Sequence, residues 1–175
     1  MSDQHEFVAV RIAVLTVSDT RTLEDDKSGD TLVERLTDAG HVLAARGIER
    51  DDRGAIVAHL RRWIADPAID VILTTGGTGL TGRDVTVEAH RDVYEKEIEA
   101  FATVFTMVSL GKIGTSAVQS RACGGVAGGK GMACGGQALN QGVAGRVIRR
   151  RAGVADGQDR DADGQEVAGF VDAGH

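Results

Sequence analysis

The sequence predicts an α/β fold: a doubly wound, mostly parallel sheet with helices on both faces. Three runs, RIAVLTVS at 11–18, the segment 41–48 and IDVILTT at 69–75, read as strands. The first and third are almost unbroken in apolar character, as strands buried on both faces are. Helical stripes separate the runs, and a βαβαβ order over 11–75 at that spacing argues for a parallel sheet wound in both directions. After the first strand comes a polar loop, DTRTLEDDKSG, at 19–29. The first helix is marked by Leu32, Val33, Leu36 and Ala39, with Gly40 at the position where a helix gives way to a left-handed residue. Asp51 or Asp52 is placed to cap the second helix, whose apolar stripe is Ile56, Val57, Leu60, Trp63 and Ile64. Asp66-Pro67 stops it. From Thr86, read as an N-cap, the pattern turns helical, with apolar stripes reaching about Leu110.

The chain has 175 residues, which suits one domain. Glycine is unevenly spread: residues 1–123 hold 10 of the 24 and residues 124–175 hold 14. The later stretch has one aromatic, Phe170, and six basic against six acidic residues. Sequence of that kind buries too little apolar surface to offset chain entropy. The expected organisation is an extension at 1–10, an α/β domain at 11–130 and a weakly ordered tail at 131–175. The net charge of −6 argues against nucleic acid, whose affinity comes largely from cationic contacts to phosphate. No stretch reads as a membrane span, and the polar, acidic start is no targeting segment, so a cytoplasmic protein is expected. Cys123 and Cys134 form neither a disulfide framework nor a paired CxxC and read as reduced, inert thiols. The histidines show no HxxxH and no cysteine at ligand spacing, so no metal site is expected from them. Arg149-Arg150-Arg151 reads as a solvated run.

The third strand leads straight into TTGGTGLTGRD, residues 74–84. Four glycines in seven residues after a buried strand weaken the chain unless the backbone must bend or be closely approached. Ligands of open α/β sheets bind at the carboxyl ends of the strands. A loop there with exposed amides, small side chains and the hydroxyls of Thr75 and Thr78 can hold a phosphate. The stretch contains GxGxxG (Gly77, Gly79, Gly82), but it follows the third strand, and no strand ending in an acid lies about 20 residues on, so a dinucleotide site is not supported. A Walker A loop is absent. Asp84 follows the third strand and Asp51 the second, so both can face one crevice. Two carboxylates beside a phosphate cradle call for a cation, and Mg²⁺ held by acids plus substrate phosphates is the usual arrangement. The loop at 19–29 ends at the same edge and brings Ser18, Asp19, Ser28 and Gly29. Ser120-Arg121 follows a short helix and can place a cation near the cradle.

These segments resemble the MoaB/MogA family of molybdenum cofactor biosynthesis proteins, the MoaB branch most closely. The resemblance covers about residues 8–130 and rests on RIAVLTVSDTR (11–21), DDKSGDTL (25–32), LTTGGTGLTGRDVTVEA (73–89) and IGTSAVQSRA (113–122). It implies a doubly wound α/β domain assembled as a homotrimer or homohexamer. It also implies adenylyl transfer from Mg-ATP to the terminal phosphate of molybdopterin, with loss of pyrophosphate. By the same resemblance Gly76, Gly77, Thr78 and Gly79 cradle phosphate with Thr75 leading in. Asp84 and Asp51 are then the carboxylates that hold Mg²⁺. From their positions, Ser18, Asp19 and Ser120 are expected to bind substrate. Two other readings stand beside it: a non-catalytic molybdopterin-binding member, and an oligomeric interaction protein using the fold alone. The family usually has Pro where Val87 stands, and often Pro-Gly-Phe where Glu99-Ala100-Phe101 stands. After 130 it continues with an apolar strand, a Leu-Pro-Gly-Ser-type loop and a closing helix. Here the chain reads GMACGGQALNQGVAGRV, with no strand pattern and no Pro-Gly. Residues from about 131 are expected to be a frame-shifted or otherwise aberrant continuation, and translating the other two frames tests this.

Overall fold

The computed structural model describes residues 7–136. The chain runs β1 (Arg11–Val17), α1 (Lys27–Asp38), β2 (Val42–Glu49), α2 (Arg53–Ala65), β3 (Val71–Thr75) and α3 (Thr86–Arg91). It continues through β4 (Lys96–Glu97), α4 (Ala100–Ile113), a 3-10 turn (Gly114–Gln119), β5 (Cys123–Ala127) and β6 (Lys130–Gly135). All six strands form one sheet in the order β2-β1-β3-β6-β5-β4. β1 pairs in parallel with β2 and β3, and β3 in parallel with β6, while β5 runs antiparallel to both its neighbours. The chain winds outward in both directions from β1 and β3, so a crevice opens at the carboxyl ends of those two strands.

β1 and β3 bury both faces, and their successive residues divide between two cores. Ile12, Val14, Val71 and Leu73 pack with Leu32 and Leu36 of α1 and with Phe101 and Phe105 of α4. Ala13, Leu15 and Ile72 pack on the other side with Ile56 and Leu60 of α2 and Ala89 of α3. A buried carboxylate ties three of these elements together. Asp26 is fully buried, and one oxygen accepts from the Gly29 amide at 3.0 Å, capping α1. Its other oxygen accepts from the Thr16 hydroxyl in β1 at 2.6 Å and from Arg46 in β2 at 3.2 Å. Burial opposes ionisation of Asp26, but the Thr16 hydroxyl, the Gly29 amide and Arg46 together hold its carboxyl below the usual range.

Residues 131–135, expected to lie in a weakly ordered tail, are part of the sheet. KGMACG forms β6, inserted between β3 and β5 in the middle of the sheet, with Met132, Ala133 and Cys134 buried. Its small residues do not announce a strand. Two ladders hold it in place, one to β3 and one across a two-residue turn at Gly128-Gly129, both with positive φ. The expected absence of a strand after 130 is therefore corrected; the rest of the tail, 137–175, lies outside the described residues. The helical reading from Thr86 to Leu110 is also interrupted. Residues 92–99 leave the helix and place Lys96 and Glu97 on β5, with the Tyr94 ring lying where a Cβ on Gly125 would sit, 2.5 Å from ring carbon Cγ. Pairing with a glycine-rich strand overrides the local pattern there. Val85 rather than Thr86 precedes α3, and Thr86 has a different role, described below. Lastly, Ala100–Gln119 is long and apolar enough to cross a membrane, contrary to the expectation that no stretch is. Phe101, Phe105 and Ser109 face the core from this helix, whereas Val104, Met107 and Leu110 are exposed.

Asp26→Ala removes the cap and leaves Arg46 and Thr16 without their shared acceptor. The variant should lose about 2–4 kcal/mol in urea unfolding at neutral pH. Because the folded-state pKa of Asp26 lies below its unfolded value, its contribution is present above that value and fades as pH falls through the acid range. The difference between variant and wild type should therefore narrow below about pH 4, where unfolded aspartates take up protons.

Candidate functional site

Gly76 and Gly77, at the end of β3, turn the chain through positive φ values of 93° and 60°. A Cβ on Gly76 would lie 2.2 Å from the carbonyl oxygen of Val17 at the end of β1. A Cβ on Gly77 would lie 2.3 Å from the Thr86 hydroxyl and 2.4 Å from Oδ1 of Asp51. Only glycine fits either position. Among the described residues, the amides of Gly77 and Thr78 make no hydrogen bond to the protein. They are placed to receive an anion.

The loop is fastened by residues beyond it. Thr86, at the start of α3, donates its hydroxyl to the Gly76 carbonyl at 2.9 Å and its amide to the Gly77 carbonyl at 3.1 Å. Arg121 grips the far side, with its amide on the Thr78 carbonyl (2.9 Å), Nε on the Gly79 carbonyl (2.9 Å) and Nη2 on the Asp84 carbonyl (2.6 Å). Its remaining charge is met by Glu88 at 2.5 Å, and this pairing holds the Glu88 carboxyl below its usual range. Arg121 is therefore near the cradle, as the sequence allows, but it is spent on backbone carbonyls and on Glu88. The partnership of Thr86, Glu88 and Arg121 has no sequence signal, because it joins residues more than 30 apart.

The expected acids converge. Asp52, not Asp51, caps α2, accepting from the Ala55 amide at 2.7 Å. That frees the Asp51 carboxylate to lie against Gly77, where Oδ1 is buried without a hydrogen-bond partner among the described residues. Burial, then the negative charges of Asp19 and Asp84, push the Asp51 carboxyl above its usual range. Asp84 is held the other way. Its Oδ2 accepts from the hydroxyl of Thr81 at 2.5 Å and from the Thr81 amide at 2.9 Å, and these bonds keep it ionised below the usual range. Asp19 accepts from the Asp51 amide at 3.2 Å and pairs with Arg83. Three carboxylates thus meet beside a loop that offers amides. An orphaned, charge-crowded Asp51 oxygen fits a divalent cation, which supplies the missing partner and neutralises the crowding.

The remaining expected residues lie at the same rim in different roles. Thr75 closes β3 and is buried, as is Thr78. Ser18 uses its hydroxyl oxygen locally, accepting from the Thr20 and Arg21 amides at 3.3 Å. Ser28 accepts from Arg21 at 3.0 Å. Ser120 stands across from Thr78, with Gly136 between them: a Cβ there would be 2.7 Å from the Ser120 hydroxyl and 3.4 Å from that of Thr78. Gly136, just past β6, is a rim position that composition hides. Away from the rim, a histidine and two cysteines without ligand spacing in the sequence come together. His90, Cys123 and Cys134 bring ligand atoms within 4.8 Å of one another, because the β5–β6 register and the packing of α3 join residues distant in sequence.

The domain family described as “Probable molybdopterin binding domain” matches residues 13–138. The chain belongs to this molybdopterin-binding domain family. Molybdenum cofactor biosynthesis protein B of Escherichia coli K12 is 47% identical over 122 residues, covering 70% of this chain and 72% of the relative. The Bacillus cereus protein of the same name is 47% identical over 122 residues, covering 69% and 72%. Among solved structures, a molybdenum cofactor biosynthesis protein B superposes with a TM-score of 0.75 at 37% identity, covering 84% of this chain and 98% of its own. The tungsten cofactor synthesizing protein MoaB from Pyrococcus furiosus superposes with a TM-score of 0.66 at 28% identity, covering 81% and 91%. In this member of the family, the glycine loop and its bracing acids occupy the switch point of the sheet.

Two variants test the rim. Gly77→Ala should destabilise the fold by at least about 2 kcal/mol in chemical unfolding, since the new methyl meets Thr86 and Asp51 at a strained φ. Asp51→Asn should raise the melting temperature of the metal-free chain by about 1–3 °C, because it removes a crowded, buried negative charge. Adding Mg²⁺ should stabilise wild type and leave Asp51→Asn unchanged in a thermal scan.

Proposed function

We propose that the chain acts in molybdenum cofactor biosynthesis as an adenylyltransferase, moving AMP from ATP to the terminal phosphate of molybdopterin. The single observation that carries this reading is the unpartnered Asp51 oxygen against Gly77, beside amides suited to phosphate and within the field of Asp19 and Asp84. Membership of the molybdopterin-binding family and similarity to proteins named for molybdenum cofactor biosynthesis support the pathway.

In such a transfer an oxygen of the acceptor phosphate forms a bond to the α-phosphorus of ATP, and the bond from that phosphorus to the bridging oxygen of pyrophosphate breaks. Both partners are anionic, and the protein needs no covalent nucleophile; positioning and charge compensation lower the barrier. The Gly77 and Thr78 amides orient one phosphate group by donating to it. Thr78 and Ser120 present hydroxyls across the rim. Asp51 and Asp84 would hold Mg²⁺, whose charge would offset that of the phosphates. Arg121, Glu88 and Thr86 keep the loop in the shape that points its amides outward. Ser18 and Asp19 follow β1 at the same rim, and Asp19 fixes the Asp51 backbone.

The chain also assembles with copies of itself, as a homotrimer or homohexamer, in this reading. Support comes from the outer side of α4 and the turn after it, where Val104, Met107 and Val118 are 49%, 67% and 71% exposed. Large exposed apolar side chains on one segment are read as a contact surface. The reaction partners are small molecules, so a cytoplasmic setting without nucleic acid or membrane suits it.

Pyrophosphate release from Mg-ATP in the presence of molybdopterin tests the activity. Wild type should turn over, and Asp84→Asn should be slower by at least ~10²-fold with the fold retained, the scale of a lost electrostatic contact to the transition state. Molybdopterin binding without pyrophosphate release would identify a binding protein instead. Met107→Lys should lower the mass measured by light scattering to that of smaller species.

A further inference from the structure

One buried group of donors lies outside the phosphate rim and has no part in the proposed transfer. Cys123 and Cys134 are directly opposed on β5 and β6 and are 1% and 0% exposed. His90 of α3 is fully buried beside them, and the three offer one nitrogen and two sulfurs within 4.8 Å of one another. Val87 and Tyr94 pack around the sulfurs. The histidine is oriented from outside the group: Nε2 meets the Thr74 hydroxyl at 2.8 Å and Nδ1 meets the Tyr94 hydroxyl at 3.1 Å. The Tyr94 hydroxyl in turn lies 3.3 Å from the Cys123 sulfur.

We propose that His90, Cys123 and Cys134 form a site for a thiophilic divalent d¹⁰ cation, Zn²⁺ in particular. Two thiolates and one neutral imidazole are a donor set that such ions take, and the ligand types exclude hard ions such as Mg²⁺. The charges balance. Binding replaces two S–H bonds by two S–metal bonds and releases two protons, so a doubly charged ion with two thiolates is neutral overall, which suits an enclosed site. Both ring nitrogens carry a hydroxyl partner, so one of them gives up its hydrogen bond to take the ion. The hydrogen bond from one ring nitrogen to Thr74 or Tyr94 is the outer contact that metal-bound histidines ordinarily have. A disulfide between the cysteines would leave the imidazole and the phenol beside it unexplained, and it would need an oxidant to reach sulfurs closed off from solvent.

The site lies directly behind the rim. Thr74 pairs with Cys134 in the sheet register, and Thr75, the next residue, leads into the glycine loop. A bound ion would pin α3 to β5 and β6, and α3 begins with the Thr86 that holds Gly76 and Gly77. The cation's place is therefore structural, behind the loop rather than in it. This inference rests on the fold and not on the proposed transfer.

The test uses the full chain, reduced with a phosphine and titrated with ZnCl₂ or CoCl₂ alone, without nucleotide or pterin. One equivalent of Zn²⁺ should remain after gel filtration, and the melting temperature should rise. The Co²⁺ form should show thiolate-to-metal charge-transfer absorption, a readout that needs no variant. Cys123→Ala and Cys134→Ala should each weaken Zn²⁺ binding by at least about tenfold. Failure of the wild-type chain to retain zinc, a cobalt spectrum without thiolate bands, or unchanged binding in the double cysteine variant would each overturn the assignment.

Discussion

The close approach of the chain at Gly76 and Gly77 to three neighbours governs the rest of the architecture. The Val17 carbonyl, the Thr86 hydroxyl and the Asp51 carboxylate all occupy space that a side chain on these residues would need. That approach exists because β1 and β3 lie side by side in parallel while the chain departs from them in opposite directions. It brings an acid and a row of amides together at one point. The acid is left with a buried oxygen that nothing in the described protein satisfies. An arrangement that weakens the folded state and offers amides and acids side by side is expected where binding, not stability, has shaped the structure.

Two opposite treatments of carboxylates make the point sharper. Asp26 is fully buried yet meets a hydroxyl, an amide and a guanidinium, so its charge strengthens the fold. Asp51 is buried at one oxygen, faces two other acids and has no such partners. Asp84 stands between these cases, with Thr81 holding its charge in place beside Gly79. The same residue type thus serves as a strut, as a brace and as an unsatisfied acid, and its neighbours decide which.

Much of this was legible in the residues. Unbroken apolar runs marked β1 and β3, and the dense glycines after β3 marked a backbone forced into close quarters. The choice between Asp51 and Asp52 as helix cap could not be made from sequence, since either fits the spacing; the geometry gives the cap to Asp52. Tertiary pairing hid the rest. β6 is built from small residues whose strand character comes from ladders on both sides. The break after α3 follows from Tyr94 lying over Gly125, and the Arg121 clamp and the His90–Cys123–Cys134 group join segments that no local pattern links.

The most direct measurement is a crystal structure of the chain with Mg²⁺ and a non-hydrolysable ATP analogue. The account predicts a phosphate group on the Gly77 and Thr78 amides and a metal ion bound at Asp51, close to Asp84. A nucleotide bound elsewhere, with Asp51 still lacking any partner at Oδ1, would contradict it.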